Sequence, residues 1–443
     1  MSKPVFSLQQ VIDQITRYNV AWSSSLILYT FPTYAPSSAA NEQRWQEFSA
    51  MSAEDKTAVR VALGQLSEIT NLKFEERAYS GSIAGTISFA RNEGDYGTAW
   101  RTASTRGPDG AYMISQSEVW IGGDMVPQQV LGALRHEIGH AVGIDHPGDY
   151  NLGSTGGYEE NAVYYQDSLQ YTIMTYWNET YTGASFINQN YRPSTYLLHD
   201  IASLQALYGA NMSTRAGDTV YGFNTNAGNT YDFRYNRVMS IWDGGGRDTL
   251  DFSGFTTASQ INLIQGGFSS MGGATFNLSV AYGAVIEDAV GGSGNDTIIG
   301  NSSRNIVDGG AGNDRISGGG NGDTLTGAGG ADTFIYYSVS DSSLSLLACG
   351  PNEKSKNRFD ILEDFVSGTD RIDLGPIDAR LSSAENDAFT FIGEAAFSGS
   401  AGQLRYLREG GLIRIEGDVD GDRVADLQLY VRGDAIMISD FLL

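Results

Sequence analysis

The sequence predicts an α+β protein whose first half mixes helices with strands and whose second half is an all-β parallel β-roll or sandwich. Three observations along the 443 residues support this division. Apolar residues recur at helical and strand spacings up to about residue 211, helical patterns then disappear, and nine-residue glycine-aspartate repeats begin at Gly291. We therefore predict two domains, 1–211 and 212–443.

The predicted elements of the first half follow from apolar spacing. Apolar residues three or four apart predict helices at 7–18, 53–72, 127–142 and about 200–208. Alternation of apolar and polar residues predicts strands at 26–31, 83–89 and 119–121. Helices and strands that alternate in this way indicate a mixed layer ahead of the repeats.

Successive nine-residue frames fill the chain from residue 291 to residue 335. They are GGSGNDTII, GNSSRNIVD, GGAGNDRIS, GGGNGDTLT and GAGGADTFI. The glycines permit a tight turn with inward carbonyls, the aspartate supplies a carboxylate, and an apolar residue packs in a core. The predicted inward residues are Ile298, Ile316, Leu325 and Phe334. A flexible linker would not keep this phase.

Composition excludes several classes of protein. A net charge of −24 disfavours nucleic acid and anionic membranes as partners, and 24 Tyr with 19 Phe exclude a disordered chain. No apolar stretch approaches the roughly 18 residues of a membrane span, and the first ten residues lack the apolar core of a signal peptide. The single cysteine, Cys349, excludes an internal disulfide; it is a bystander thiol or, less favoured, a nucleophile.

Residues 136–146, HEIGHAVGIDH, contain the clearest chemical motif of the chain. His136 and His140 lie four apart on one helix and leave the same face, and Glu137 between them is placed to activate a water on a metal. Gly143 lets the chain turn sharply, so that His146 returns as a third ligand. Three imidazoles leave a fourth zinc position for water.

A helix that carries these residues only for packing is the alternative. Three of the four histidines fall at the spacing that a zinc site requires, which favours one catalytic zinc ion. The fourth, His199, precedes Asp200 at a helix start. A lone histidine there is expected to be a surface or capping residue rather than a ligand.

The elongated motif is that of the metzincins, whose second mark is a methionine turn, here YTIMTYW at 171–177. With HPGDYN at 146–151, LYGAN at 207–211 and the repeats, the chain resembles the serralysins, which are secreted bacterial metalloproteases. The resemblance implies a zincin-type (metzincin) catalytic domain followed by an RTX β-roll. The resemblance also places Met174 beneath the zinc ligands as an apolar floor. It implies that Tyr176 is a further zinc ligand that stabilises the reaction intermediate. The alternative is that Tyr176 is an ordinary core tyrosine.

The repeats predict several structural calcium ions, because stacked carboxylates repel one another without a cation. The predicted ligands are Gly292, Gly294, Asp296, Gly309, Gly310, Gly312, Asp314, Gly319, Asp323 and Asp332. The resemblance adds Arg215, Gly217, Thr219, Asp243, Gly245, Gly246, Asp248 and Glu287. The frame at 300–308 lacks its aspartate and Asn321 and Ala328 replace glycines, so some sites are expected to be weak or missing. Asp418, Asp420, Asp422 and Asp426 form either a calcium loop or a solvated acidic turn.

The function expected from these features is a secreted, calcium-dependent zinc endopeptidase. The resemblance implies protein and peptide substrates, an ABC-type (type I) exporter that recognises the C-terminal residues 440–443, a proteinaceous inhibitor, and a monomeric extracellular protein. An extended substrate is expected to pair with the strand near 96–100. The alternatives are a non-enzymatic RTX binding or adhesion protein with an inactive protease domain, and an RTX lipase, for which no G-x-S-x-G element is found.

Overall fold

The computed structural model describes residues 3–36, 42–94, 96–107, 111–151, 153–186, 192–235, 238–342, 359–380 and 385–443. These fall into two compact units. The N-terminal unit is Met1–Thr214 with Val238–Gly244, and the C-terminal unit is Arg215–Arg237 with Gly245–Leu443. Cys349 lies outside the described residues. Among the described helices, none combines the length and the apolar character needed to cross a membrane.

The N-terminal unit mixes helices and strands, labelled here in chain order. Its helices are α1 Leu8–Ile15, α2 Gln43–Gln46, α3 Ala53–Ile69, α4 Pro127–Ala141, α5 Tyr158–Asn161 and α6 Leu198–Tyr208, with a 3-10 turn at Glu179–Thr182. Its strands are β1 Val20–Trp22, β2 Leu26–Thr30, β3 Lys73–Glu76, β4 Thr86–Asn92, β5 Thr98–Arg106, β6 Tyr112–Gly122 and, later in the chain, β8 Met239–Ile241.

The four predicted helices are present, but three of them end earlier than predicted. α3 stops at Ile69 because Thr70 is already extended, with φ −131°, as the chain enters β3. α4 begins with Pro127 at its first position, where a missing N–H costs no hydrogen bond. Its buried side chains include Val130, Leu134 and Ile138, which hold it against the sheet and α3.

The sheet of this unit places an edge strand, β5, beside α4. Its order is β1-β6-β4-β2-β3 with parallel pairs, and β5 adds to β6 in the antiparallel sense. In the described parts of the chain, β5 pairs with no other strand. Its outer edge therefore keeps backbone groups available for pairing.

The C-terminal unit is built from short strands. They are β7 Val220–Gly222, β9 Thr249–Asp251, β10 Gln260–Asn262, β11 Phe268–Ser269, β12 Leu278–Val280, β13 Asp288–Val290, β14 Thr297–Asn301, β15 Ile306–Asp308, β16 Arg315–Gly319, β17 Thr324–Thr326, β18 Thr333–Ile335, β19 Ile361–Leu362, β20 Arg371–Asp373, β21 Thr390–Phe391, β22 Gln403–Glu409, β23 Leu412–Asp418, β24 Leu427–Arg432 and β25 Phe441–Leu442. The helical elements among its described residues are three 3-10 turns, at Asn229–Tyr231, Val339–Ser342 and Ile438–Asp440.

Successive repeats alternate between two sheets. β14, β16 and β18 are neighbours in one sheet, and β13, β15 and β17 are neighbours in the other, with all these pairs parallel. Each strand thus pairs with the strand two repeats away, as Ile298 does with Ile316. The predicted inward residues Ile298, Ile316, Leu325 and Phe334 are all buried. The mixed first half and the many parallel strands of the second agree with the predicted class.

Candidate active site

Three histidine side chains converge beside α4. The Nε2 atom of His146 lies 3.2 Å from that of His136 and 3.1 Å from that of His140. These are the ligand atoms that the sequence assigned to zinc, and they lie close enough for one ion to bind all three.

The hydrogen bonds of the three rings determine which nitrogen carries the proton. Each Nδ1 faces a backbone carbonyl: His136 that of Ile173 at 2.8 Å, His140 that of Ile144 at 3.0 Å, and His146 that of Tyr150 at 2.8 Å. A carbonyl only accepts, so each Nδ1 carries the proton and each Nε2 presents a lone pair.

Electrostatics keeps two of these rings, His136 and His146, in the neutral form that binds a metal. Burial, with repulsion from His140, lowers the pKa of His136 well below its usual value and that of His146 to about 4. Three lone pairs that face one another repel unless a cation lies between them. The donor set of three neutral imidazoles therefore fits zinc.

Glu137 lies on the same helix and points into the cleft. Its side chain is 6% exposed, and burial raises its pKa to about 7. A Cβ on Gly97, just before β5, would stand 2.9 Å from both the Cγ and the Oε1 atoms of Glu137. Only glycine lets the rim of the cleft approach the carboxylate so closely, and no pattern in the sequence indicates this requirement.

Two glycines shape the end of α4. Gly143 adopts φ +111°, and its N–H donates to the carbonyl of His140 at 3.1 Å, so the chain reverses here toward His146. A Cβ on Gly139 would lie 2.8 Å from the sulfur of Met174. The glycine between the first two ligands therefore makes room for the methionine, which is fully buried beneath them.

The methionine turn is held by a buried carboxylate. Asp200 accepts hydrogen bonds from the Thr172 hydroxyl at 2.5 Å and from the Ile173 N–H at 2.9 Å. The carbonyl of the same Ile173 accepts from His136, so Asp200 stabilises the first ligand indirectly. The expectation that the neighbouring His199 lies at the surface was wrong: it is 2% exposed, and burial lowers its pKa to about 3.

Tyr176 lies at the mouth of the site. Its side chain is 45% exposed, so the alternative of an ordinary core tyrosine is wrong, and its ring centre is 4.6 Å from that of His146. It borders a cleft of about 440 Å³ whose other lining residues include Tyr96, Gln129 and Glu137. The arrangement joins a metal-ligand triad, a buried carboxyl and a phenol in one open cleft.

The comparisons with known proteins agree with this geometry. The profile of the family described as "Peptidase M10 serralysin C terminal" matches residues 210–443. The chain belongs to the serralysin family. It is 39% identical to "Metallopeptidase AprA" of Pseudomonas marginalis, over 99% of this chain and 92% of the relative. "Metalloprotease AprA" of Pseudomonas entomophila strain L48 is 38% identical over 98% and 90%, and "Serralysin G" of Dickeya chrysanthemi 36% over 99% and 91%.

In this serralysin the repeat carboxylates form a column along one face of the roll. The Oδ1 atom of Asp314 accepts from the N–H of Asp296 at 2.7 Å, 18 residues earlier, and Asp332 accepts from Asp314 at 2.8 Å. Asp370 continues the column by accepting from Asp332 at 3.0 Å. Mutual repulsion adds to burial in raising the pKa of Asp314 to about 7.

A second column runs through the alternate repeats. Asp323 accepts from the N–H of Asn305 at 2.8 Å, and Asp360 accepts from that of Asp323 at 2.8 Å. Burial raises the pKa of Asp323 and Asp360, and among the described residues the Oδ2 atom of Asp323 is buried without a hydrogen-bond donor. Sequence reasoning missed Asp360 and Asp370 because the nine-residue phase breaks after residue 335. The signal that could have found them is the sequence after the interruption, where Asp360 and Asp370 can be aligned with the repeat aspartates Asp323 and Asp332.

The first glycine of a frame lies against the carboxylate of that frame. A Cβ on Gly309 would stand 2.6 Å from the Oδ2 atom of Asp314. The second and fourth positions turn the chain, as φ +90° at Gly310 and +126° at Gly312 require. Gly319 also has positive φ, whereas Gly292 and Gly294 turn without it, and the N–H of Gly292 donates to Asp296. Glycine and carboxylate thus occupy the turn together.

Most residues that the resemblance assigned to calcium before the repeats lie together in the C-terminal unit. The N–H of Thr219 donates to Asp248 at 2.8 Å, and the N–H of Asp248 donates to Glu287 at 2.8 Å. The carbonyls of Arg215 and Gly217 accept from the Thr219 hydroxyl. Gly245 and Gly246 adopt φ +130° and +142° in the adjoining turn. Asp243 is buried and belongs to the N-terminal unit.

The irregular frames differ from the others in detail. Asn305 donates its amide to the Glu287 carbonyl at 2.5 Å, in the place where other frames carry a carboxylate. Asn321 and Ala328 keep the left-handed backbone of the glycines they replace, at φ +76° and +63°. In the later acidic run, carboxylate oxygens converge from Asp418, Asp420 and Asp426, without Asp422.

Proposed function

We propose that this serralysin is a secreted zinc endopeptidase that cleaves peptide bonds in proteins. One observation supports this most directly: the buried carboxyl of Glu137 lies in an open cleft next to three imidazoles whose ligand nitrogens lie within 4.8 Å of one another. The names of its relatives, metallopeptidase, metalloprotease and serralysin, support the same activity. We infer a metzincin catalytic domain over residues 1–211 and a calcium-binding roll over 212–443.

Each residue of the cleft has a distinct role. His136, His140 and His146 would hold zinc, which supplies Lewis-acid activation of a water and of the scissile carbonyl. Glu137, with a pKa near neutrality, accepts the proton of the attacking water and delivers it to the leaving nitrogen. Tyr176, at the mouth, donates its phenolic O–H to the oxygen that becomes negative in the tetrahedral intermediate.

The unpaired edge of β5 supports a mode of substrate binding. Gly97, the residue just before this strand, borders the cleft, and an extended peptide can add to the edge of β5 as a further antiparallel strand. This pairing uses backbone groups and so favours unfolded or extended proteins as substrates.

Hydrolysis of unfolded casein tests the proposal. Purified protein in calcium is compared with Glu137→Gln, with protein treated with a zinc chelator, and with the same sample after zinc is restored. Glu137→Gln should keep one zinc ion per chain and lose about 10²–10⁴-fold in kcat. Glu54→Gln, an exposed carboxyl on α3, is the matched control and should remain active.

A wild-type protein that is folded and loaded with zinc yet inert would contradict the proposal. It would favour the non-enzymatic binding or adhesion protein, which the relatives do not support. A lipase is disfavoured by the histidine triad itself, since a serine nucleophile makes no use of it.

Calcium and export belong to the same proposal. The two carboxylate columns support several structural calcium ions in the roll, so folding of the C-terminal unit would require calcium outside the cell. We propose that the C-terminal residues 440–443 are recognised by a type I exporter, and that a proteinaceous inhibitor blocks the cleft of a monomeric enzyme.

A further inference from the structure

Asp167 lies behind the candidate active site, where the catalytic roles above make no use of it. Its side chain is fully buried, and its Oδ1 atom accepts two hydrogen bonds. One comes from the phenolic hydroxyl of Tyr150 at 2.8 Å, and the other from the hydroxyl of Thr175 at 2.7 Å. A buried carboxylate that receives two hydroxyls fixes both donors firmly, because such charge-assisted bonds are stronger than neutral ones.

Tyr150 connects this carboxylate to the third zinc ligand. Its carbonyl accepts from the Nδ1 of His146 at 2.8 Å, and its ring stacks on the His146 ring with an angle of 16° between the planes. Both the tautomer and the orientation of His146 therefore depend on where Tyr150 lies. The hydroxyl bond to Asp167 sets that position.

Thr175 connects the same carboxylate to the tyrosine at the mouth of the cleft. Its hydroxyl donates to Asp167 and accepts from the N–H of Trp177 at 3.1 Å. Tyr176 thus lies between Thr175 and Trp177, which the Thr175 hydroxyl joins to each other and to Asp167. Its ring centre is 5.1 Å from that of Tyr150.

We propose that Asp167 is a positioning residue, which orients His146 through Tyr150 and Tyr176 through Thr175. Asp200 accepts a hydrogen bond from the other threonine of the methionine turn, Thr172. Each of the two threonines therefore donates to a different buried aspartate. The catalytic consequence rests on the proposed function, whereas the effect on metal binding does not.

The test compares Asp167→Asn with wild type and with Asp55→Asn. Asp55 is an equally buried aspartate of the same unit whose carboxylate binds Arg91, away from the cleft. Zinc affinity is measured by chelator competition in calcium, alongside the unfolding temperature. We expect Asp167→Asn to weaken zinc binding about tenfold. Asp55→Asn should lower the unfolding temperature and leave zinc affinity unchanged.

Kinetics on casein-derived peptides test the second connection. Asp167→Asn should lower kcat about tenfold with KM within about twofold, because Tyr176 acts on the oxygen that becomes negative in the intermediate rather than on the bound substrate. In a Tyr176→Phe background the same substitution should lower kcat less than about threefold, since the two changes affect one group. Tyr150→Phe and Thr175→Val each remove one of the two hydrogen bonds that Asp167 accepts, and they give the same two readings if Asp167→Asn does not fold.

Two results would overturn the inference. One is an Asp167→Asn protein that matches Asp55→Asn, with lowered thermal stability but wild-type zinc affinity and kcat. The other is a kcat loss that multiplies in full with that of Tyr176→Phe. A zinc-loaded wild type without peptidase activity would instead contradict the proposed function, and zinc affinity alone would then decide the role of Asp167.

Discussion

Gly143 lies so close to Val20 that a Cβ on the glycine would stand 2.0 Å from the Val20 carbonyl oxygen. No rotation of a side chain relieves such an overlap, and φ +111° already disfavours any other residue. The turn that returns His146 to the first two ligands therefore tolerates glycine alone.

Gly143→Ala should destabilise the N-terminal unit by at least about 2 kcal/mol and weaken zinc binding, because the backbone must move to accept the methyl group. Thermal unfolding and zinc content measure both effects. Gly64→Ala on α3, where a Cβ meets nothing within 4 Å, is the control and should gain about 0.5–1 kcal/mol. Equal behaviour of the two variants would disprove the steric argument.

Gly97→Ala should separate catalysis from metal binding. The new methyl group would press on Glu137 at 2.9 Å and displace its carboxylate, while the three histidines are untouched. We expect a fall in kcat of at least about tenfold with full zinc content. Peptide hydrolysis and metal analysis of one sample measure both; a kcat within twofold of wild type would show that Glu137 adapts freely.

Without calcium, the C-terminal unit should lose stability as pH rises. The pKa values of Asp314 and Asp332 are raised in the folded protein to about 7 and about 6, mainly by burial, against about 4 in an unfolded chain. Their contribution is thus fully present below about pH 4 and disappears as pH rises through 6 to 7.

In a calcium chelator, the unfolding temperature of this unit should therefore fall by about 5–10 °C between pH 5 and pH 8, as circular dichroism can measure. Calcium should remove this trend and release protons on binding, which calorimetry in two buffers detects. A flat profile in chelator would mean that the carboxylates are ionised without the ion.

Asn305→Asp should increase dependence on calcium. The substitution replaces an amide that donates to the Glu287 carbonyl with a carboxylate in a column that already contains Asp323. In chelator, we expect the substitution to lower the free energy of unfolding by roughly 1–3 kcal/mol, which a lower unfolding temperature would show. In calcium, the loss of stability should be smaller. Asn295→Asp, at an exposed turn position, is the control. Equal losses in both conditions would refute the idea.

Local patterns predicted what depends on residues close in sequence. The motif at 136–146 and the nine-residue phase of the repeats identified the three converging histidines, Glu137 and four repeat aspartates, and the four predicted helices were placed to within three residues. Long-range contacts could not be predicted in this way. Gly97 meets Glu137 from 40 residues away, and Asp167 reaches Tyr150 only because the chain folds back. The burial of His199 depends on what packs over α6, which its own neighbours do not encode.

The 18-residue spacing of the carboxylate columns has a consequence for how the roll finds its alignment. A slip of one repeat would exchange the two faces and break every column, whereas a slip of two repeats would keep each aspartate opposite a backbone N–H. A perfectly regular array would accept that error almost without penalty. Asn305, Asn321 and Ala328 make individual rungs unequal, so the same residues that depart from the nine-residue pattern also distinguish the correct register from a slip of two repeats.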